Sequence, residues 1–388
     1  MEPRNDQMPS APHALLAGGG TGGHVFPALA VGEELVRRGW RVSFAGMAEG
    51  MEARLAAERG LPFHALSARP LLGRGLRAKA AALRTAASGA VAAARLVRRL
   101  GVDVVLGTGG YVSVPAVLGA RLARRPVLLL EPNARAGVAN RWLARWANGA
   151  AVAFAETRRD LRCPSIVTGV PVRAAFFAVG PPPPLGASDS KRSDARPHLL
   201  VLGGSQGARQ VNRLLPAAVA RARRELPGLS VLHQAGVKNV EETRAGYRAA
   251  GLSSPAVEVV PFLDDVAGAM AASHLLVSRA GAITVAEICA AGRGALLLPL
   301  AIAQAHQVDN ARLLAEAGAA EMMVADSAGE AGEDAMAEDL GAHLISLLAD
   351  PGRLAAMGRA ARALARPDAV AAIADRLAEL AELAERSR

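Results

Sequence analysis

Short apolar runs that stop at glycine alternate with longer segments rich in Ala, Leu and Arg. In the first half the runs Ala14–Ala17, Arg41–Ala45, Val104–Leu106, Val127–Leu130 and Ala150–Phe154 predict strands. The segments Pro27–Arg38, Met51–Arg59, Leu76–Leu100, Val114–Ala123 and Val138–Ala147 predict helices. Residues 181–197 hold four consecutive prolines and then small polar residues, which cannot build a core and read as a linker. The alternation restarts at His198, with strands expected at His198–Leu202, Ser230–Gln234, Val257–Val260, Leu275–Val277 and Ala295–Leu298. A polar loop is expected at Asp326–Asp334, and a helical pattern at Ala356–Leu383 with a break at Pro367. This order predicts an α/β protein of two Rossmann-like domains with parallel sheets. Their expected extents are 12–180 and 198–365, followed by a last helical segment over 366–388.

Three of the apolar runs end in glycine-rich turns. These are Gly18–His24, Gly107–Tyr111 and Gly203–Gly207. Such a turn lets a ligand approach the backbone, and the helix after it offers free N–H groups to an anion. Gly18, Gly20 and Gly23 match G-x-G-x-x-G, but a dinucleotide site also needs an acid ending the second strand. That strand ends at Gly46, and the nearest acid is Glu49, so the fingerprint is incomplete. His24 sits at a helix start, where a positive dipole end favours the neutral, base-competent ring. A packing or capping role is its other reading. Glu131 and Asn133 follow a strand and can orient a sugar hydroxyl or cap a loop. In the second half, Ser205 and Gln206 suit a diphosphate at a helix start. Thr284 can donate to phosphate. Glu287, one turn on among apolar neighbours, can accept two ribose hydroxyls. His306, Gln307 and Asn310 can read sugar hydroxyls or cap a helix.

Charge changes the picture of the first half. Residues 1–180 carry 24 Lys and Arg against 11 Asp and Glu, within a chain of formal net charge +10. No acid lies between Glu58 and Asp103. Such a segment suits an anionic partner, or a solvated helix face. The chain has 388 residues, 51% of them hydrophobic and 3% aromatic, which fills two cores mainly with aliphatic side chains. No apolar run has the roughly 18 residues that a membrane span needs, and 1–11 has no signal-like apolar core, so a cytoplasmic protein is expected. The two cysteines, Cys163 and Cys289, lack metal-ligand spacing. Neither a P-loop nor a G-x-S-x-G elbow occurs. No zinc, helix-turn-helix or RNP motif supports a nucleic-acid partner.

Taken in order, several motifs resemble the MurG family of bacterial peptidoglycan glycosyltransferases. They are Gly19–His24, Gly109–Ser113, Glu131–Asn133, Pro171–Arg173, Gly203–Arg209, Phe262–Asp265, Gly281–Glu287 and His306-Gln307 with Asn310. The resemblance implies a GT-B fold facing an interdomain cleft, with the last helix crossing back to the first domain. It implies inverting transfer of N-acetylglucosamine from UDP-GlcNAc to the 4-hydroxyl of lipid I, giving lipid II. No cofactor and no metal are implied. His24 would be the base, supported or replaced by Glu131. Thr21 and Asn133 would reach the donor from the opposite domain, Arg173 would sit near the domain junction, and Gly22, Gly23 and Tyr111 would contact substrates. Ser205 and Gln206 would lie near the diphosphate, Leu263, Ala282 and Ile283 near the nucleotide, and Thr284 at the phosphates. Glu287 would hold the ribose, and His306, Gln307 and Asn310 the donor sugar. Expected partners are an anionic membrane surface, at the cytoplasmic face of the cell membrane, and cell-wall synthesis and division proteins. Val170 departs from the family, which usually has Asn or Thr there, and His306 stands where some members have Gln. UDP-GlcNAc 2-epimerases share this architecture and are the nearest rival, needing the donor but no lipid.

Overall fold

The computed structural model describes residues 11–68, 76–185, 196–204, 207–300, 305–324 and 330–386. They fall into two compact units, Met1–Val172 with Asp368–Arg388, and Arg173–Pro367. The first unit runs β1 (His13–Ala17), α1 (Gly22–Arg37), β2 (Arg41–Gly46), α2 (Met51–Glu58), β3 (Phe63–Ala65), α3 (Leu76–Leu100), β4 (Val104–Gly107), α4 (Gly110–Leu122), β5 (Val127–Glu131), α5 (Val138–Leu143), β6 (Gly149–Val152) and β7 (Ser165–Val167). Its strands are parallel, in the order β3-β2-β1-β4-β5-β6-β7. β1, β4, β5 and β6 are buried throughout, as expected for strands covered on both faces by helices. On α1 the buried Val25, Ala28, Leu29 and Leu35 recur at helical spacing and meet Leu16 and Phe44 of the sheet.

The second unit runs α6 (Ala174–Phe177), β8 (His198–Leu202), α7 (Arg209–Glu225), β9 (Ser230–Gln234), α8 (Val240–Ala249), β10 (Val257–Val260), α9 (Val266–Ala272), β11 (Leu275–Ser278), α10 (Ala282–Ala291), β12 (Ala295–Leu297), α11 (Ala305–Glu316), β13 (Ala320–Met322), α12 (Glu330–Leu348) and α13 (Pro351–Leu364). Its parallel sheet has the order β10-β9-β8-β11-β12-β13. In both sheets the strand order reverses beside the first strand, between β1 and β4 and between β8 and β11. In folds of this kind ligands bind at the carboxyl ends of the strands at that reversal.

Residues 174–185 belong with the second unit. Arg362 donates to the Phe177 and Val179 carbonyls at 3.0 and 2.6 Å, and Arg293 to the Gly180 carbonyl at 2.8 Å. The His274 ring accepts the His198 N–H through Nδ1, so its Nε2–H donates to the Pro183 carbonyl at 3.1 Å. After α13 comes α14 (Ala369–Arg386), which is part of the first unit. Ile373, Ala374, Leu377 and Leu380 enter its core, and Arg38 pairs with Asp375 at 2.5 Å. Leu377 is fully buried, so Leu377→Ala should destabilise the first unit by about 2–5 kcal/mol. Urea unfolding should show the transition of that unit alone moving to lower denaturant.

Some element boundaries differ from the sequence expectation. α1 starts at Gly22 rather than Pro27, and α4 at Gly110 rather than Val114. The glycines carry no side-chain pattern, yet they pass directly into helix. β3, β7 and β13 were not expected, because each is a three-residue strand at a sheet edge. Of the polar loop expected at Asp326–Asp334, residues 326–329 lie outside the described residues, and Glu330–Asp334 is helical. The helical pattern expected at Ala356–Leu383 resolves into α13 and α14, separated around Pro367.

Candidate active site

In the first unit the register sets Ala17 beside Gly107, so the Gly18–Gly20 and Thr108–Gly110 turns leave neighbouring strands side by side. They interlock. Thr108 donates its hydroxyl to the His24 carbonyl at 2.8 Å. Gly109 and Gly110 have φ of 94° and 73°, and a Cβ on Gly110 would stand 3.0 Å from the Gly19 carbonyl oxygen. Side chains are excluded there both by backbone conformation and by the close approach of the other turn.

His24 is the third residue of α1, and its ring lies along the Gly109–Gly110 backbone. Cβ atoms at those glycines would come within 3.1 Å of Cε1 and 3.2 Å of Cδ2. The ring is half-buried, and Nδ1 is buried with no hydrogen-bond partner among the described residues. Burial is the main cause that lowers its pKa below 6.5, with the Thr108 backbone opposing. Desolvation thus acts in the same direction as the helix dipole that the sequence suggested. The outcome is a neutral ring with a spare acceptor. Thr21 is the N-cap of α1 and makes no side-chain capping bond, which leaves its exposed hydroxyl uncommitted to the helix. Gly22 and Gly23 form the first turn of α1, and Tyr111 stands near Gly20, 3.8 Å from where a Cβ would be.

Glu131 ends β5 with almost no exposed surface. Oε1 accepts the Asn133 N–H and side-chain amide at 3.1 and 2.9 Å. Oε2 accepts the Gly137 N–H and the Asn140 side-chain amide, both at 2.9 Å. Burial raises its pKa, and these bonds oppose the rise. A carboxylate has about four acceptor positions, and all are taken. Its work is to fix the loop from Asn133 to the N-cap of α5. Asn140, held by Glu131 and the Leu130 carbonyl, in turn backs Gly109, whose Cβ would lie 3.2 Å from the amide nitrogen. Glu131→Gln would turn an NH₂ group toward two N–H donors. We expect a loss of about 1–3 kcal/mol in stability, with the pH dependence of turnover unchanged, checked by denaturant unfolding and a pH–rate profile.

In the second unit Ser205 and Gln206 lie outside the described residues. Around them, Gly204 and Gly207 have φ of 74° each, and the uncapped start of α7 follows. A buried network sits behind this turn. His233 Nε2–H donates to Asn212 Oδ1 and Nδ1 faces the Tyr247 hydroxyl, each at 3.0 Å, while Asn212 donates to the Ala235 carbonyl at 2.9 Å. Burial holds His233 neutral, its pKa pushed down to about 3. Ala235 also abuts Gly207, so the network fixes the turn's shape.

Ala282, Ile283 and Thr284 open α10, whose N-cap Gly281 offers no side-chain cap. The Thr284 hydroxyl turns back toward Gly281, 3.9 Å from the position of a Cβ there. Glu287 lies one turn further on, its carboxyl pKa pushed up to about 7 by burial, with Arg173 opposing at 4.0 Å. Arg173 also stacks over Phe176 at 5.0 Å. Leu263 is half-buried beside the exposed Phe262. Gln307 and Asn310 are buried. Gln307 accepts the Leu300 N–H at 3.2 Å, and Asn310 donates to the Ala280 carbonyl at 3.0 Å. Both therefore shape the loops before α10 and α11, while His306 stays partly exposed.

Arg279 escaped the sequence reading as a functional residue. Its guanidinium donates to the Leu298 carbonyl at 2.7 Å and to Gln210 at 3.1 Å, joining the ends of β11 and β12 to the first turn of α7. The only signal for it was its place directly after a strand, between Ser278 and Ala280. Thr108 and Asn140 were equally silent, since their partners are distant in sequence.

Among the described residues no cluster of His, Cys, Asp and Glu could hold a metal ion, and no helix is long and apolar enough to cross a membrane.

Two Rossmann-like units with parallel sheets, one with a histidine beside its glycine turn and one with a half-buried acid behind a helix start, define a GT-B fold. Residues 14–152 match the glycosyltransferase family 28 N-terminal domain, and residues 198–373 match its C-terminal domain. A protein of Halorhodospira halophila is 45% identical over 370 residues, covering 95% of this chain and 97% of that one. It is named UDP-N-acetylglucosamine–N-acetylmuramyl-(pentapeptide) pyrophosphoryl-undecaprenol N-acetylglucosamine transferase. The crystal structure of Acinetobacter baumannii MurG superposes with a TM-score of 0.76 at 32% identity, covering 95% of this chain and 99% of that one. A UDP-GlcNAc 2-epimerase from Neisseria meningitidis, solved with UDP-GlcNAc, shares the fold at a TM-score of 0.67 and 14% identity, covering 95% and 100% of the two chains. The chain belongs to glycosyltransferase family 28 and, within it, to the MurG family.

Proposed function

We propose that this protein transfers N-acetylglucosamine from UDP-GlcNAc to the 4-hydroxyl of lipid-linked N-acetylmuramoyl-pentapeptide, with inversion at the anomeric carbon. The whole-length likeness to transferases of that name carries this reading. The site chemistry is consistent with it. Direct displacement needs a base at the acceptor hydroxyl and stabilisation of charge on the departing diphosphate. Burial keeps the His24 ring neutral, whereas both Glu131 oxygens are occupied, which supports His24 rather than Glu131 as the base. In the second unit the start of α7 beside Ser205 and Gln206, and the start of α10 with Thr284, would take the diphosphate. Glu287 would accept the ribose hydroxyls, with Leu263, Ala282 and Ile283 beside the base and His306 at the sugar. Thr21, Gly22, Gly23, Tyr111 and Asn133 would line the acceptor half, and Arg173 would brace Glu287. Gln307 and Asn310 would act through the loops they hold.

The enzyme would work as a peripheral protein on the anionic cytoplasmic face of the membrane, beside cell-wall synthesis and division proteins. Arg84, Arg95, Arg98 and Arg99 are exposed on α3, and Val91 is exposed among them. Basic residues near such a surface contribute about 1 kcal/mol each. Sedimentation with vesicles containing anionic lipid should fall with added salt, and fall further when Arg95 and Arg99 are replaced by Gln. Binding that ignores both changes would remove α3 as the contact. The reaction itself is tested by giving the protein UDP-GlcNAc alone. The donor should persist, and acceptor-independent conversion to UDP-N-acetylmannosamine would replace the transferase reading with an epimerase one.

A further inference from the structure

Glu52 lies in the first turn of α2 and has no exposed surface. Oε1 accepts the Met47 N–H at 3.0 Å, and Oε2 is buried without a hydrogen-bond partner among the described residues. A carboxyl group so placed is costly to keep. The rest of the inward face of α2 is apolar, with Leu55 and Ala56 buried, so packing alone does not call for an acid. Its surroundings are unusual. A Cβ on Gly19 would stand 2.3 Å from Oε1, one on Gly46 2.5 Å from Cγ, and one on Gly50 2.3 Å from Cδ. The carboxyl group is thus wedged among backbone at three positions and has little room to move.

Gly19 is the middle residue of the first glycine turn. Glu52 presses on it from one side, and Gly110 approaches its carbonyl oxygen from the other. The His24 ring rests against Gly110 in turn. We propose that Glu52 is a positioning residue, which sets the Gly18–Gly20 turn and through Gly110 the placement of the His24 ring. The kinetic part of its test rests on the proposed acceptor role of His24, and the spectroscopic part does not.

Gly19 does not have a positive φ, and every atom that a Cβ there would meet within 3.0 Å belongs to Glu52. Gly19→Ala should therefore be harmful only while Glu52 is present. Gly19→Ala and Glu52→Ala are each expected to lower kcat/KM for the lipid acceptor about 10- to 100-fold, as sub-ångström to ångström misplacement of a catalytic group does. The KM for UDP-GlcNAc should stay unchanged. In the double variant the alanine at position 19 gains space, so the two losses should not multiply. Glu52→Gln keeps the shape and the Met47 bond and should retain most activity. In ¹⁵N-histidine spectra of the full chain, the His24 signals, identified by their loss in His24→Gln, should shift in Glu52→Ala and return toward wild type in Glu52→Gln. A purely structural role would lower the melting temperature without moving these signals. Unshifted His24 signals, or losses that multiply in the double variant, would overturn the proposal. The spectra would still decide it if the lipid were not the acceptor.

Discussion

Replacing His24 with alanine should lower kcat about 10²- to 10⁴-fold, the range over which positioned bases act, while leaving the KM for UDP-GlcNAc little changed. The split follows from where the groups lie. His24 belongs to the first unit, and the residues proposed to hold the nucleotide, apart from the brace Arg173 at its edge, lie on strand ends and helix starts inside the second. The pH profile adds a second signature. Burial lowers the ring's pKa below 6.5, so the base-competent form should persist to mildly acidic pH. The rate kcat should fall as pH drops through that lowered pKa and hold steady above it. His24→Gln should lose both the rate and this acidic limb. Steady-state kinetics with both substrates varied would show it, and near-normal turnover in either variant would remove His24 as the base.

Glu287→Ala should act on the other substrate, raising the KM for UDP-GlcNAc on the order of 10²-fold. Two hydrogen bonds from ribose hydroxyls to a carboxylate are worth about 1.5–3 kcal/mol each, and measured losses are less than additive. The free carboxyl titrates at about 7 because it is buried, with Arg173 as a weaker opposing influence. Only the ionised form accepts both hydroxyls well. Donor kcat/KM should therefore be full above that pH and weaken as pH falls through it, and Glu287→Gln should flatten this limb. Bound ribose stabilises the ionised form, so the limb belongs to kcat/KM and not to kcat. That separates it from the His24 limb. The raised pKa also means that the folded chain binds an extra proton, so its stability should decline as pH rises through about 7. Isothermal titration with UDP-GlcNAc at several pH values checks the affinity, and a pH-independent constant would contradict the assignment.

Pattern and punctuation made much of this molecule legible. The strands at Ala14–Ala17 and His198–Leu202 were readable because they are apolar runs stopped by glycine, and their order implied two parallel sheets. The edge strands were not, since three residues carry no period. His24, Thr284 and Glu287 could be picked out because each follows a strand end at a helix start. The roles of Glu131, Gln307 and Asn310 could not be settled that way. A carboxylate or amide at a strand end reads the same in sequence whether its polar atoms face a ligand or the backbone. In the fold, Glu131 is saturated by Asn133, Gly137 and Asn140, and Asn310 holds the Ala280 carbonyl. Glu52 and Arg279 were invisible for a related reason. Their partners lie on other elements, and only the assembled sheets bring Gly19 to Glu52 or Gln210 to Arg279.

The most direct test of the central claim follows the sugar itself. Purified protein is given UDP-GlcNAc labelled in the sugar, with and without a lipid-linked N-acetylmuramoyl-pentapeptide. With the acceptor, label should move into the lipid as one β-1,4-linked N-acetylglucosamine for each UDP released, and without it neither should occur. Release of UDP without labelled lipid, or an α linkage in the product, would contradict the account.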